Sequence, residues 1–302
     1  MSSEQWAVSR DALVLRSGIL QAIRSFFIAR DYIEVETPLR LPAPALELHI
    51  DAEPAGDAWL RTSPELHLKR LLAQGHPRIF ELGPCFRQGE RGAHHRPEFT
   101  MLEWYRVDAD YHTTLAETRD LLLHVARCVG GSSCVVHGGV TIDLAAEWSV
   151  HSVAEAFLVA AGWDPVQAYD ADRFDFDLVG KIEPALPPDR PAVLIDYPVE
   201  AAALARCRPG PPAVAERWEL YVAGLELANA FSELTDPCEQ RRRFEACAKA
   251  RQAAEREVYP IDEPFLEALE TGLKPCSGVA LGVDRLVMIL GDQSDISAVR
   301  AF

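Results

Sequence analysis

Long apolar runs are absent from this 302-residue sequence. No stretch approaches the roughly 18–20 apolar residues that a membrane-spanning helix requires, which argues against a membrane protein. The N-terminal sequence, MSSEQWAVSRDALVLRSG, lacks both the basic and the apolar segment of an export signal. We therefore expect a cytoplasmic protein with no membrane partner.

Cysteine and histidine pairs of the kind that bind metals are also lacking. The seven cysteines are scattered, and no two form a CxxC pair. An odd, unpatterned set is typical of reduced thiols in the cytoplasm. His94 and His95 make a poor zinc pair, because adjacent side chains diverge and no third ligand is spaced to join them.

Basic residues are too few to form a large nucleic-acid footprint. Thirty lysines and arginines stand against 46 aspartates and glutamates, a net charge of −16, whereas backbone phosphates require a basic face. We therefore expect no tRNA partner. The patterns GxGxxG and GxxxxGK[ST] are absent as well, which disfavours Rossmann and P-loop nucleotide sites.

Hairpin-forming strands with helices at the margins are present instead. Residues 63–65 predict a helix start, with Ser63 as cap and Pro64 in the first turn, and Gly75 predicts its end. The pattern predicts an α+β fold, an antiparallel sheet flanked by helices, in one domain over residues 1–302. Helices are predicted at 12–30, 113–129, 151–161, 237–258 and 284–290. Strands are predicted at 33–38, 46–51, 78–83, 85–87, 98–106, 192–197, 218–222, 225–234 and 278–281.

The strand at 98–106 has a chemically distinctive face. Period-two alternation places Phe99, Met101, Glu103 and Tyr105 together. An aromatic ring, a carboxylate and a phenol in line suit a stacked purine at one end and an ammonium group at the other. The alternative interpretation is the solvated polar side of an edge strand.

The hairpin at 218–234 contributes further acidic residues. With Ala223-Gly224 as a two-residue turn, Glu219 and Glu226 become diagonal neighbours. Two such carboxylates can share a Mg²⁺ ion that also holds phosphate oxygens, or they can be two solvated acids. The residues Asn229, Phe231 and Glu233 have the opposite parity, so a bulge near residues 227–228 must intervene if all five face one ligand.

Two further segments suggest a phosphate site. Three arginines and two histidines lie within FRQGERGAHHR at 86–96, which is typical either of an ordinary charged hairpin loop or of a cradle for a triphosphate. In SGVALGVDRLVM near the C-terminus, Gly282 lets the backbone approach a ligand and Arg285 lies at a helix start. Glycines before a helix are a weak signal alone.

Together these segments resemble the motifs of class II lysyl-tRNA synthetases. FRQGERGAHHRPEFTMLEWYR resembles motif 2, SGVALGVDRLVM resembles motif 3, and the helix ending near YIEVETPLRLPAP resembles motif 1. LELANAFSEL resembles the lysine-pocket segment of the same group. The resemblance runs from about Leu13 to the end. It implies the class II synthetase fold, ATP and Mg²⁺ as cofactors, and a homodimer formed through the motif 1 helix.

One branch of that group fits better than the tRNA-charging enzymes. Only about a dozen residues precede the first helix, where a lysyl-tRNA synthetase carries an anticodon-binding domain. The chain is similar to the family of elongation factor P β-lysine ligases, which implies elongation factor P as the acceptor and lysine or β-lysine as the substrate. Ala280 stands where tRNA-charging members usually have glycine, and its methyl group is expected to reshape the pocket.

The resemblance also implies roles for individual residues. Arg87 and Arg285 would be catalytic, Arg87 at the α-phosphate, and Glu219 and Glu226 would hold Mg²⁺. The ATP site would comprise Arg87, Gln88, Glu90, His95, Arg96, Phe99, Glu226, Leu227, Gly282 and Arg285. The amino-acid site would comprise Ser63, Glu65, Glu103, Tyr105, Asn229, Phe231, Glu233 and Ala280.

Motif 2 departs from the family pattern at two positions. Gly89 stands where a glutamate usually reads adenine, and Glu90 follows it. A one-residue shift of the loop would let Glu90 replace that glutamate; otherwise adenine recognition is weakened. Arg96 replaces the usual asparagine and would add positive charge near the phosphates.

These features predict an ATP-dependent ligase. It would activate (R)-β-lysine or lysine as an aminoacyl-adenylate and transfer it to a lysine of elongation factor P. Two alternatives stay open: an adenylate-forming enzyme with another acceptor, and a non-catalytic regulator that binds lysine or ATP.

Overall fold

One large sheet forms the centre of the computed structural model, which describes residues 9–301. The helices are α1 Arg10–Ile28, α2 Glu65–Ala73, α3 Tyr111–Gly130, α4 Val153–Ala161, α5 Ala171–Asp177, α6 Glu183–Ala185, α7 Pro237–Ala253, α8 Glu263–Glu270 and α9 Val283–Leu290. The strands are β1 Ile33–Glu34, β2 Arg40–Leu41, β3 Trp59–Leu60, β4 Arg78–Phe86, β5 Glu98–Val107, β6 Cys134–His137, β7 Val140–Asp143, β8 Ser149–Ser152, β9 Ala192–Tyr197, β10 Cys207–Arg208, β11 Val214–Val222, β12 Leu225–Ser232 and β13 Cys276–Gly282. Across residues 9–301, no helix combines the length and the apolar character needed to cross a membrane.

The large sheet is mostly antiparallel. Over the described residues its strand order is β1-β4-β5-β13-β12-β11-β9-β8, with β10 paired to β11. The pairs β1–β4 and β8–β9 are parallel, and the other neighbours in the sheet are antiparallel. Two small hairpins, β2–β3 and β6–β7, lie outside it. The predicted α+β class, an antiparallel sheet flanked by helices, is confirmed.

The two faces of the sheet pack against different helices. Trp104 is buried in one core cluster with Phe27 of α1 and Val287 of α9. Tyr105, the next residue, belongs to a second cluster with Leu68 of α2 and Phe265 of α8. Successive side chains of a strand point to opposite faces, so the odd-numbered residues of central β5 face α2. Full burial of one large apolar side chain contributes roughly 1.5–3 kcal/mol.

A third core cluster supports the β9 end of the sheet. Phe157 of α4 stacks on Phe174 of α5, with ring centroids 4.9 Å apart, and Tyr197 of β9 joins them. A π-helix at Leu178–Ile182 then leads into α6. These aromatic contacts hold the helices against the part of the sheet that neighbours β11.

The predicted strand at 46–51 is wrong, because an arginine satisfies its backbone. Buried Arg251 of α7 donates from Nη1 to the carbonyl oxygens of Glu47 and Ile50 at 2.6 and 2.9 Å. Its Nη2 pairs with the Asp51 carboxylate at 2.6 Å. Buried carbonyl groups need a partner, and a guanidinium group supplies it here in place of a neighbouring strand.

Several predicted boundaries also differ. The helix predicted at 237–258 ends at Ala253, and Glu255 has a left-handed φ of 55°. The strands predicted at 78–83 and 85–87 are one strand, β4, and the strand predicted at 33–38 is only β1. Pro64, rather than Ser63, is the N-cap of α2. Ser63 Oγ still accepts a hydrogen bond from the Glu65 amide at 3.3 Å.

Candidate active site

A row of side chains crosses four neighbouring strands on the face that α2 covers. Glu103 of β5 lies opposite Ala280 of β13. Ala280 lies opposite Asn229 of β12, and Asn229 lies opposite Glu219 of β11. Since neighbouring strands lie about 4.8 Å apart, the row extends for about 14 Å. It joins a carboxylate-rich pocket beside α2 to a second charged cluster near α9.

A bulge in β12 aligns the residues of this face. Tyr221 pairs with Glu226 and Leu220 with Ala228, so Leu227 has no partner across the hairpin. The extra residue brings Glu226 onto the same face as Glu219 and Asn229. The bulge near residues 227–228, on which a common face for these residues depended, is therefore present.

Glu103 and Tyr105 form the base of the pocket. Tyr105 Oη donates to Glu103 Oε2 at 3.0 Å, and both side chains are buried. Burial, reinforced by the nearby Glu65 carboxylate, raises the pKa of Glu103 well above its usual range. Phe231 of β12 lies on the other side of β13 from Tyr105. Gly278 of β13 lies between them and pairs with both in the strand register. The pocket thus favours a cation that would let Glu103 ionise.

Glu233 and Glu65 complete the pocket together with a lysine. Both carboxylate oxygens of Glu233 are buried without a hydrogen bond of ordinary geometry, although Lys69 Nζ lies 2.5 Å from its Oε2. Lys69 also donates to Glu65 Oε1 at 2.5 Å. Sequence reasoning missed Lys69. The i, i+4 spacing from Glu65 on α2 is the signal that could have found it.

Glu47 is a second residue that the sequence analysis missed. Burial raises the pKa of Glu47 to about 7, with Arg87 opposing the shift and Glu65 and Glu90 adding to it. Charges of α2 and of the motif 2 loop therefore both act on its carboxylate. Because residues 46–51 were predicted as a strand, Glu47 was not recognised as a residue near the site.

Arg87 begins the motif 2 loop with an unused donor. Its Nε is buried and has no hydrogen-bond partner within the part of the chain that the structure describes, and its guanidinium carbon lies 5.1 Å from the centroid of the Phe99 ring. Glu90 is 3.9 Å from Arg87 Nη1, and Gly89 has a left-handed φ of 77°. A buried donor without a partner fits an anion such as a phosphate group.

The remaining loop residues have varied environments. Gln88 is exposed, and its backbone N–H donates to the Asp51 carbonyl at 2.8 Å. Arg96 Nη1 donates to the Gly92 carbonyl at 2.6 Å, and Nη2 lies 3.4 Å from Asp295. In this conformation Arg96 ties the loop to the C-terminal segment. Its contribution to phosphate binding stays a prediction.

Arg285, in the first turn of α9, connects the loop to the hairpin. Its Nη1 donates to the Glu226 carbonyl at 2.5 Å, and its Nη2 lies 2.8 Å from His95 Nε2. Partial burial and the Arg285 charge lower the pKa of His95. A neutral His95 can therefore accept the hydrogen bond from Arg285.

A buried aspartate fixes the start of α9. Asp284 accepts from the Thr100 amide at 2.8 Å and from Arg16 of α1 at 2.5 Å. Arg300 also pairs with it at 3.1 Å. These contacts join α1, β5 and α9, and so set the position of Arg285 relative to Phe99.

Glu219 is held by three donors at the far end of the row. Tyr197 and Tyr221 donate to its Oε2 at 2.6 and 2.7 Å, and Arg217 pairs with its Oε1. Arg217, which sequence reasoning missed, also donates from Nε to Asn229 Oδ1 at 3.2 Å. Its period-two spacing from Glu219 on β11 is the available signal.

The pair Glu219 and Glu226 fits a magnesium ion shared with phosphates. Burial and the Glu219 charge raise the pKa of Glu226, so a cation between them would relieve the repulsion. Residues 9–301 contain no group of three or more His, Cys, Asp or Glu that could hold a metal alone. Mg²⁺ commonly uses one or two carboxylates and takes its other ligands from phosphate and water.

Two glycines of β13 give a matched pair of predictions. A Cβ at Gly278 would lie 2.6 Å from Glu233 Oε1 and would overlap the Tyr105 ring, whereas at Gly282 it would lie 3.7 Å from Arg285 Cδ. We expect Gly278→Ala to lower the melting temperature or displace Tyr105.

Gly282→Ala should leave the melting temperature unchanged and weaken ATP binding, as measured by calorimetry. Equal ATP affinity in wild type and Gly282→Ala would contradict a ligand above this glycine.

Comparison with known proteins agrees with this arrangement. The family model of class II tRNA synthetases (D, K and N) matches residues 6–302. The lysine–tRNA ligase of Moorella thermoacetica is 38% identical over 97% of this chain, which spans 65% of that relative's length. The elongation factor P–(R)-beta-lysine ligase of Vibrio cholerae is 38% identical, covering 100% of this chain and 98% of the relative. The Haemophilus influenzae ligase of that name is 40% identical, covering 98% and 97%. The chain therefore belongs to the class II tRNA synthetases of the D, K and N group.

Proposed function

We propose that this chain is an ATP-dependent ligase that activates (R)-β-lysine as an aminoacyl-adenylate and transfers it to a lysine side chain of elongation factor P. The charge of the pocket carries the proposal. The pocket has three carboxylates and one ammonium group: Glu65 and Glu233 both pair with Lys69, and the Glu65 charge also acts on Glu103. When all four are ionised, two negative charges are left over. A substrate with two ammonium groups, such as β-lysine or lysine, neutralises them.

Two of the relatives support elongation factor P as the acceptor. Both, from Vibrio cholerae and Haemophilus influenzae, are named as ligases that act on elongation factor P. The net charge of −16 gives no electrostatic footprint for a tRNA backbone. Ala280, between Glu103 and Asn229 in the register, adds a methyl group inside the amino-acid pocket.

The sheet row supports a position for each part of the amino acid. Glu103, Tyr105 and Glu233 would receive its ammonium groups, and Ser63 holds the start of α2 where Glu65 lies. Asn229 and Phe231 would line the carbon chain. The substrate carboxylate would then point along the row toward Arg87 and the phosphates.

The second charged cluster, which contains Arg87, Arg285 and Glu226, would bind ATP. Phe99 would stack on the adenine, Leu227 and Gly282 would contact the nucleotide, and Gln88 and Glu90 would lie at its base. Arg87 would meet the α-phosphate, with Arg285, His95 and Arg96 toward the outer phosphates. Glu219 and Glu226 would hold Mg²⁺, which neutralises phosphate charge when bound.

These positions support a two-step reaction. In the first, the substrate carboxylate attacks the α-phosphorus and pyrophosphate leaves. Arg87 and Arg285 stabilise the charge that develops on the phosphate oxygens, so no protein nucleophile is required. In the second, the acceptor amine attacks the carbonyl carbon of the mixed anhydride and AMP leaves.

Amino-acid-dependent exchange between ATP and labelled pyrophosphate tests the first step. We expect β-lysine to stimulate exchange strongly, lysine less, and a monoamine such as norleucine not at all. Exchange with lysine but no product on elongation factor P would favour an adenylate-forming enzyme with another acceptor. Absence of exchange with every amino acid would contradict the proposal and favour a regulator.

Ala280→Gly is expected to shift the substrate preference from β-lysine toward lysine. The two isomers differ in the position of one amino group, and removal of a methyl beside that position makes room for the α-amino group. A difference of this size is worth about 1–3 kcal/mol, or roughly 10–200-fold. The measurement is the ratio of kcat/KM for the two isomers in the exchange assay. An unchanged ratio would contradict this role for Ala280.

We propose further that the chain acts as a homodimer in the cytoplasm and that residues 1–302 form one catalytic domain. Ile28 at the end of α1, Ile33 in β1 and Leu39 just before β2 are large apolar side chains left exposed at 61%, 51% and 40%. Such a surface supports an interface between two copies. Sedimentation equilibrium of wild type and Ile28→Glu should give a dimer and a monomer, respectively; a wild-type monomer would contradict it.

A further inference from the structure

Lys69 is a buried cation in a pocket that is proposed to bind a cation. Its side chain is fully buried, and its Nζ lies 2.5 Å from both Glu65 Oε1 and Glu233 Oε2. Burial lowers the pKa of Lys69, but Glu233 and Glu65 outweigh it and raise the pKa above the usual range. Lys69 is therefore charged at neutral pH, and it forms a bridge between two carboxylates that come from α2 and from the end of β12.

The carboxylates of this pocket depend on that bridge. Burial raises the pKa of Glu233 to about 8, Glu65 adds to the rise, and Lys69 opposes it. Without Lys69, Glu65, Glu103 and Glu233 would form three neighbouring acids. Like charges so close do not all ionise, and two substrate ammonium groups would not neutralise three carboxylates.

The other groups that face Glu233 do not replace this charge. Tyr105 of β5 has a pKa raised well above its usual range, chiefly by burial. Burial also raises the pKa of the Cys276 thiol on β13. Both are neutral over the ordinary pH range, so among the described groups facing Glu233 the positive charge comes from Lys69 and the competing negative charge from Glu65.

We infer that Lys69 is a positioning and specificity-determining residue of the amino-acid site: it fixes the carboxylates of Glu65 and Glu233 and sets the pocket charge that a diammonium amino acid neutralises. The inference rests on the proposed function. Lys69 itself contacts carboxylates rather than the reacting atoms, so it acts through Glu65 and Glu233.

A double-mutant cycle with a pH profile tests it. Lys69→Met, Glu65→Gln and the double variant are compared with wild type by β-lysine-dependent pyrophosphate exchange. Lys69→Met should lower kcat/KM for β-lysine by at least about 100-fold, because it leaves uncompensated buried charge. The KM for ATP should change little. The double variant, with two carboxylates and no lysine, should lose less than the product of the two single losses.

The pH profile separates this role from simple packing. Binding requires ionised Glu233, so kcat/KM rises with pH through the Glu233 pKa. Removal of Lys69 raises that pKa, and the rising limb should move to higher pH. Glu65→Gln removes a negative charge and should move it to lower pH. A residue that only fills space would shift neither limb.

Lys69→Gln provides a second variant in case Lys69→Met does not fold, since its amide keeps hydrogen-bond donors without the charge. The inference would be overturned if wild type is active, the rising limb of the pH profile is unshifted in the variants, and the losses of the two single variants multiply in the double variant. The proposed function would then still stand. A wild-type protein that activates no amino acid would overturn both.

Discussion

Glu233→Gln is expected to lower kcat/KM for β-lysine in the exchange assay by at least about 100-fold. A substrate ammonium group that is buried without its carboxylate partner costs roughly 3–5 kcal/mol, because its charge is left unpaired. The Glu233 carboxylate is 1% exposed and pairs with Lys69 at 2.5 Å. The substitution changes one atom and keeps the volume, so the protein should stay folded and its ATP affinity should remain near wild type.

Glu270→Gln is the matched control, the same chemical change at an exposed position of α8. It should leave both kcat and KM unchanged. If Glu233→Gln behaves like this control, Glu233 does not contact the substrate, and the charge balance of the pocket loses its functional meaning.

Arg87→Met should reduce kcat for pyrophosphate exchange by about 100–1,000-fold, the usual effect of losing one preorganised donor at a developing negative charge. The Nε of Arg87 is buried and has no hydrogen-bond partner among residues 9–301. Methionine has a similar length but offers neither charge nor donor. The KM for β-lysine should change much less than kcat, since Arg87 is proposed to contact the α-phosphate rather than the amino acid.

Arg91→Met is the control for this prediction. Arg91 lies in the same loop and is exposed, so its loss removes the same charge from the loop without removing a donor from the site. A comparable loss in both variants would mean that loop charge in general, rather than Arg87, supports catalysis. No loss in either would place the phosphates elsewhere.

Local patterns were sufficient to predict the strands that carry the site. Alternation along β5 separated Glu103 and Tyr105 from Trp104, and the structure puts them on opposite faces. The parity conflict between Glu226 and Asn229 required a bulge, which is present at Leu227. The alternation and the bulge depend only on residues close together in the sequence and on one tight turn, so both can be predicted from the sequence.

Contacts between distant segments could not be predicted in this way. Arg251 takes the place of a neighbouring strand for residues 46–51, although it lies 200 residues from Asp51 along the chain. This long-range contact positions Glu47. Lys69 and Arg217 were not singled out from the sequence, because their burial depends on how α2 and β11 pack. The order of the sheet, with β13 between β5 and β12, brings the pocket together and leaves no local signal.

The intact mass of elongation factor P after incubation with this protein, ATP, Mg²⁺ and (R)-β-lysine tests the central claim most directly. The account predicts a mass increase of one β-lysyl residue on a single lysine, which requires both ATP and the ligase and is lost with Glu233→Gln. The lysine tRNA offered in the same reaction should remain uncharged. An unmodified elongation factor P alongside robust charging of lysine tRNA would contradict the account.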